Sequence, residues 1–233
     1  MSNLYIVATP IGNLEDITLR AIEILKQVDL IACEDTRQTK KILNHYNIST
    51  STVSYHQHSK LAKIDYLLNL LKNGKDIAVV TDAGTPAISD PGGILVKEAV
   101  DKLSDKVKII PIPGASACIS ALSICGFPLN RFLFLGFLPH KKGRETFLKE
   151  VINSEDVVVF YESCHRILKM LKQLQELDGS DKLQLVICRE LTKMFESVYR
   201  GSVDEVLEVL ESDVNNVKGE FAVVAFGAER RGR

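Results

Sequence analysis

Two carboxylates eight residues apart, Asp82 and Asp90, lie in a loop that reads Thr81-Asp82-Ala83-Gly84-Thr85-Pro86-Ala87-Ile88-Ser89-Asp90-Pro91-Gly92-Gly93. An apolar run, Ile77-Ala78-Val79-Val80, precedes it and predicts a buried parallel strand; residues 94–100 behind it predict a helix. A long Gly-, Pro- and Asp-rich loop at the carboxyl end of such a strand is where an open α/β sheet binds its ligand. The chain has no G-x-x-x-x-G-K-[ST] and no G-x-G-x-x-G, so the loop is not a phosphate cradle. Its carboxylates repel phosphate and favour a ligand with positive or hydroxyl character. A sulfonium cofactor carrying an adenosine ribose suits them.

The elements that must hold this loop follow from the apolar pattern. Continuous apolar runs at residues 4–9, 29–33, 77–81 and 107–110 predict strands. Helical spacing at 18–28, 39–45 and 59–72 falls between them, and Gly74 ends the last of these helices. Pro111-Ile112-Pro113-Gly114 breaks the alternation, and a helix rich in Ala, Ser and Cys follows at 115–124. Further apolar runs at Phe132–Phe137, 157–161, 183–188 and 221–226, with helical stripes at 146–151, 167–177 and 203–210, predict a second sheet. The expectation is an α/β protein of two domains: residues 1–113, doubly wound, and residues 114–233, with a mixed sheet.

Composition narrows the function classes. A chain of 233 residues with 45% hydrophobic and 25% charged residues is ordinary for a soluble globular protein. No apolar run reaches the ~20 residues that span a bilayer, so no membrane partner is expected. The start, Met1-Ser2-Asn3-Leu4-Tyr5, carries no basic segment before a hydrophobic stretch; no secretory signal is expected and the location is expected to be cytoplasmic. The five cysteines are odd in number and free of C-x-x-C spacing, which reads as buried reduced thiols. No metal site is expected from the histidine and cysteine spacing. A net charge of −1 excludes broad electrostatic binding of nucleic acid; an RNA partner must meet a local basic patch, a dimer surface or a shaped ribonucleoprotein.

Several motifs together carry a resemblance. Leu4-Tyr5-Ile6-Val7-Ala8-Thr9-Pro10-Ile11-Gly12-Asn13-Leu14, with Asp16-Ile17-Thr18-Leu19-Arg20-Ala21 behind it, resembles the opening of the tetrapyrrole-methylase superfamily of S-adenosylmethionine (SAM) methyltransferases. Glu34-Asp35-Thr36-Arg37, Asp82-Ala83-Gly84-Thr85-Pro86, Pro113-Gly114, Phe160-Tyr161-Glu162-Ser163 with His165-Arg166, Arg189-Glu190-Leu191-Thr192-Lys193 with Glu196, and Lys218-Gly219-Glu220 resemble its small-subunit ribosomal RNA methylating branch. The likeness runs from Leu4 to about Ala225. It implies two α/β domains with SAM in the cleft between them, and a homodimer. It also implies methyl transfer to the ribose 2′-hydroxyl of a cytidine in 16S rRNA, within the assembled small subunit. Members of that branch often continue into a basic helical segment, whereas this sequence stops soon after Phe226. If that segment contacts RNA, weak RNA affinity with intact SAM binding is expected. Two rivals remain: a tetrapyrrole or corrin precursor methylase of the same fold, and a non-catalytic SAM-binding ribosome-assembly factor.

Residue roles follow from the resemblance and from chemistry. Asp82, Gly84, Thr85 and Ile88 are candidate cofactor contacts, because Gly84 permits close backbone approach and Asp82 can face the cationic parts of SAM; Pro10 joins them as what the resemblance implies. Ser116 and Ala117 join them by resemblance; Tyr161 or Phe160 is able to stack on adenine, Leu191 to contact it, and backbone groups near Ala222 to read its edge. Ser116 reads equally as a first-turn helix residue, and Asn13 and Asp16 read as helix caps. A ribose hydroxyl needs a base or a cation that stabilises the alkoxide, and Glu34, Asp35 and Arg37 are the catalytic candidates. A helix cap at Asp35 with a paired Arg37 is the alternative. His56 and His58 are further base candidates. Lys141, Lys142 and Arg144, in the run His140-Lys141-Lys142-Gly143-Arg144, are the candidate RNA contacts, Lys40, Lys41, Lys60 and Lys63 could extend the patch, and Arg166 could touch phosphate.

Overall fold

The computed structural model describes residues 1–55, 61–90, 92–177 and 179–227. His56, His58, Lys60 and the basic residues of the C-terminal tail lie outside the described residues. The chain divides into two compact units, Met1–Ser116 and Ala117–Arg233.

The first unit alternates strand and helix: β1 (Ser2–Val7), α1 (Leu19–Gln27), β2 (Leu30–Cys33), α2 (Thr36–His45), β3 (Thr52–Ser54), α3 (Leu61–Lys72), β4 (Ile77–Val80), α4 (Gly92–Leu103) and β5 (Val107–Ile112). The strands lie in the order β3-β2-β4-β1-β5 and every pair is parallel. Alternate residues of one strand serve opposite faces, which is why β4 is apolar throughout. Ile77 and Val79 pack with Leu67, Leu71, Leu95 and Ala99 of α3 and α4. Ala78 and Val80 pack with Ala21, Leu25, Ile42 and Leu43 of α1 and α2. Helices therefore cover both faces, and the sheet is doubly wound. Thr18 starts α1 by accepting a hydrogen bond from the Ala21 amide at 3.1 Å.

The second unit holds α5 (Ala117–Cys125), β6 (Phe132–Phe137), α6 (Arg144–Asn153), β7 (Val157–Ser163), α7 (Ile167–Gln175), β8 (Leu183–Arg189), β9 (Ser197–Gly201), α8 (Val203–Ser212) and β10 (Glu220–Gly227). Its sheet runs β6-β7-β10-β8-β9, with β6 and β7 parallel and the other pairs antiparallel. Val158, Phe160, Leu185, Ile187, Phe221 and Val223 face a core filled from α6, α7 and α8. A capping box at Ser202 and Glu205 starts α8. Four of the five cysteines are buried and all five are free. Burial pushes the Cys118 and Cys188 thiols up to about 11, so neither is a thiolate nucleophile near neutrality. No helix among the described residues is long and apolar enough to cross a membrane.

Candidate active site

In the first unit the ends of β1, β4 and β5 are drawn together at their carboxyl edge. Thr9 and Gly84 exchange both backbone hydrogen bonds, at 2.9 and 3.0 Å. The Thr9 hydroxyl donates to the Thr81 carbonyl at 3.1 Å, and the Thr85 hydroxyl donates to the Ala115 carbonyl at 3.1 Å. Two glycines make this approach possible. Gly84 has φ +85°, and a Cβ there would stand 3.5 Å from Ile11 Cγ2. A Cβ on Gly114 would stand 2.9 Å from that of Ala8, closer than real Cβ atoms approach. Pro10, Asp82, Gly84 and Thr85 are thus gathered at one sheet edge, while Ile88 sits further along the loop, exposed.

That loop is held by its own chemistry. Asp90 Oδ1 accepts from the amides of Ala87 and Gly92, at 2.8 and 2.7 Å. Ala87 and Ser89 adopt positive φ, 73° and 63°, conformations that cost a non-glycine residue free energy and concentrate at functional loops. Asp90 is therefore a loop brace, whereas Asp82 is exposed.

The end of β2 is tied to the same loop. The Asp35 amide donates to Asp82 Oδ1 at 3.1 Å, and the Thr81 hydroxyl donates to Glu34 Oε2 at 3.1 Å. Sequence reasoning did not single out Thr81. Its signal is its place between the strand and Asp82, but its link to Glu34 depends on β2 lying beside β4. Although Asp82 is exposed, loss of water on the protein side of its carboxyl raises it above its ordinary value, opposed by the Asp35 amide and reinforced by the Asp35 charge.

Asp35 has a defined structural task. It caps α2 by accepting from the Arg37 amide at 2.8 Å, and it holds the Arg37 guanidinium with Nη2 at 2.7 Å from Oδ2. The side-chain bond from Arg37 holds its carboxyl down from 3.8 to about 2. So strong an acid is a poor proton acceptor near neutrality, which leaves Glu34 as the base candidate among the described residues and Arg37 as the exposed cation. Because the folded value is depressed, ionised Asp35 adds stability above the ordinary carboxyl range, and that contribution is lost as pH falls from 3.8 towards about 2. Asp35→Asn keeps a good cap but not the charge. Its acid-unfolding curve is expected to be shallower than the parent's across that window, and superimposable curves would remove the Asp35–Arg37 pair from the account.

In the second unit Ala117, Tyr161 and Ala222 come together. The Cys118 amide, in the first turn of α5, donates to the Tyr161 hydroxyl at 3.0 Å. Tyr161 pairs across the sheet with Ala222, and Phe134 and Phe137 meet its ring edge-on, each at 5.2 Å. Burial pushes the phenol up to about 12, so it stays neutral. Leu191 is buried just beyond β8, flanked by Glu190 and Thr192 at positive φ. Ser116 closes the first unit, half-buried.

Three expectations are corrected. Ala222 lies inside the central strand, paired with Tyr161 on one side and Cys188 on the other. Its backbone groups serve the ladders, which leaves only its methyl for a ligand. Arg144 is 5% exposed. Its guanidinium donates to Gln173 Oε1, to the Pro139 carbonyl and to Glu162 Oε2, so it is spent inside the fold. Arg166 is turned inward as well, onto Glu162 and the Leu138 carbonyl. Lys141 and Lys142 are exposed, as an RNA contact requires.

The donor set fits a sulfonium cofactor. Residues 81–93 contain two carboxylates and no basic side chain. Asp82 is the exposed acceptor there for cationic or hydroxyl groups. Among the described residues no group of three or more His, Cys, Asp and Glu is placed to hold a metal ion.

The model of the tetrapyrrole (corrin/porphyrin) methylase family matches residues 3–207. Ribosomal RNA small subunit methyltransferase I of Halalkalibacterium halodurans is 47% identical over 225 residues, covering 96% of this chain and 75% of that protein. The protein of the same name from Mycoplasmopsis pulmonis is 42% identical over 226 residues, covering 97% of this chain and 98% of its own length. The crystal structure of diphthine synthase shares the fold at a TM-score of 0.72 and 14% identity, over 96% of this chain and 89% of that one. The chain belongs to the tetrapyrrole methylase family and is a SAM-dependent methyltransferase. Within that family it groups with the proteins named ribosomal RNA small subunit methyltransferase I.

Proposed function

We propose that this chain methylates the ribose 2′-hydroxyl of a cytidine in 16S rRNA, with the small ribosomal subunit as its substrate. The observation that carries the reading is the tie between the end of β2 and the loop after β4. It sets a carboxylate and a guanidinium suited to a hydroxyl acceptor beside the loop suited to SAM. The names of relatives at 42–47% identity support the RNA class. A homodimer belongs to the same reading and rests on the resemblance alone; a cytoplasmic location goes with the ribosomal RNA named for the relatives.

Pro10, Asp82, Gly84, Thr85 and Ile88 in the first unit are the proposed cofactor contacts, with Ser116 at its end. Ala117, Tyr161, Leu191 and the Ala222 methyl are those of the second unit. When bound, SAM would supply an electrophilic methyl group. Glu34, fixed by Thr81, takes the proton of the 2′-hydroxyl. Arg37, fixed by Asp35, stabilises the charge that develops on oxygen. Lys141 and Lys142 meet RNA phosphate, a local contact compatible with a net charge of −1.

The test sets acceptors against each other. Labelled SAM is incubated with small ribosomal subunits and, separately, with a uroporphyrinogen. Label in the RNA fraction alone is the expected result. Label in the porphyrin would move the chain to the tetrapyrrole branch, and tight subunit binding without label would favour the assembly-factor reading.

A further inference from the structure

We propose that Glu162, Arg144 and Arg166 form a buried clamp that fixes the turn after β6 and thereby positions Lys141 and Lys142 for nucleic-acid phosphate; this rests on RNA being the acceptor. One carboxylate is the centre of the clamp. Glu162 is 2% exposed and accepts Arg166 Nη2 at Oε1, 2.7 Å, and Arg144 Nη1 at Oε2, 3.2 Å. Each guanidinium also holds one carbonyl of the turn. Arg166 Nη1 donates to Leu138 O at 3.0 Å, and Arg144 Nη1 donates to Pro139 O at 3.2 Å. The Leu138 amide donates to Tyr161 O at 3.2 Å and the Arg144 amide to Lys141 O at 3.3 Å. The turn is thus fastened on both sides of the two exposed lysines.

Such a cluster is poorly explained as a stabiliser. Buried ion pairs lose most of their attraction to desolvation, and apolar residues of similar volume hold a core as well or better. Here two guanidinium groups share one carboxylate, and Arg144 Nη2 is buried without a partner among the described residues. What the cluster adds is geometry. Arginine presents several donors in a rigid fork, so one side chain can hold a carboxylate and a carbonyl together. Two long lysines on a fixed turn lose less freedom on meeting phosphate than the same lysines on a loose loop. Arg144 and Arg166 act through the lysines as positioning residues, not as contacts.

Arg166→Lys keeps the charge and removes the fork. The experiment measures binding of small ribosomal subunits lacking the modification, SAM affinity, and tryptic cleavage after Lys141 and Lys142 below the melting temperature. The Lys141→Ala/Lys142→Ala pair is expected to weaken subunit binding about 10-fold and to lower the salt slope by nearly two. Arg166→Lys is expected to weaken binding about 5-fold in the parent and less than about 2-fold in the lysine-free background, with SAM affinity unchanged. Cleavage after the lysines, in the variant that retains them, is expected to rise about 10-fold. If Arg166→Lys does not fold, Glu162→Gln is read in the same way. Equal weakening in both backgrounds, or unchanged cleavage, would overturn the clamp. Raised cleavage in a protein whose parent does not bind subunits would overturn the RNA reading and, with it, the assignment of the lysines.

Discussion

Gly84→Val is expected to lower SAM affinity by about 100-fold or more while leaving a cooperatively melting protein. Gly84 sits at φ +85°, where a β-branched residue is a marked outlier. It also exchanges two backbone hydrogen bonds with Thr9, so the strain cannot relax without parting the ends of β1 and β4. A Cβ at this position already touches Ile11, and branching beyond it crowds the proposed cofactor site at the strand end. The fold supplies its own control. Gly74 has the same φ, +85°, but nothing within 4 Å of its Cβ position, and it lies at the opposite end of β4. Gly74→Val is expected to cost comparable strain and leave SAM affinity unchanged. Calorimetric titration of both variants separates backbone strain from loss of the site. Parent-like affinity in Gly84→Val would remove this loop from cofactor binding.

Glu34→Gln carries the second large effect: methyl transfer slower by about 10²- to 10⁴-fold, with SAM affinity within about 2-fold of the parent. Glutamine still accepts the Thr81 hydroxyl and fills the same volume, so the end of β2 stays in place. What it loses is basicity. Asp35 cannot substitute, because Arg37 holds its carboxyl near about 2. The loss is expected in kcat rather than in the KM for RNA, since the proton leaves only as the new bond forms. Single-turnover rates at saturating RNA give the answer directly. An unchanged rate would mean that the hydroxyl loses its proton elsewhere, and Glu34 would become a structural partner of Thr81.

Both predictions draw on features that differ in how far a linear sequence could show them. The strand before Asp82 and the loop after it are legible because a buried parallel strand is apolar throughout and the loop that follows is rich in Gly, Pro and Asp. The short strands β3 and β9 escaped notice. Thr52–Ser54 is three residues long, and Ser197–Gly201 has no fully buried position, so neither shows a run. The pairing of Glu34 with Thr81 spans 47 residues and exists only because β2 and β4 are neighbours in the sheet. Arg144 shows the limit most clearly. In sequence it completes a basic run with Lys141 and Lys142. In the fold it is the first residue of α6, pointing at a carboxylate 18 positions away. A run of like charges reports composition, and only the backbone decides which members face inward. Ala222 failed for a related reason, since a strand at the centre of a sheet has no backbone to offer a ligand.

The central claim is the acceptor atom. The most direct test is transfer from methyl-labelled SAM to small ribosomal subunits lacking the modification, followed by digestion of the 16S rRNA and nucleoside mass spectrometry. The account predicts label in 2′-O-methylcytidine. Label on a base, or no label in RNA from a protein that binds SAM, would contradict it.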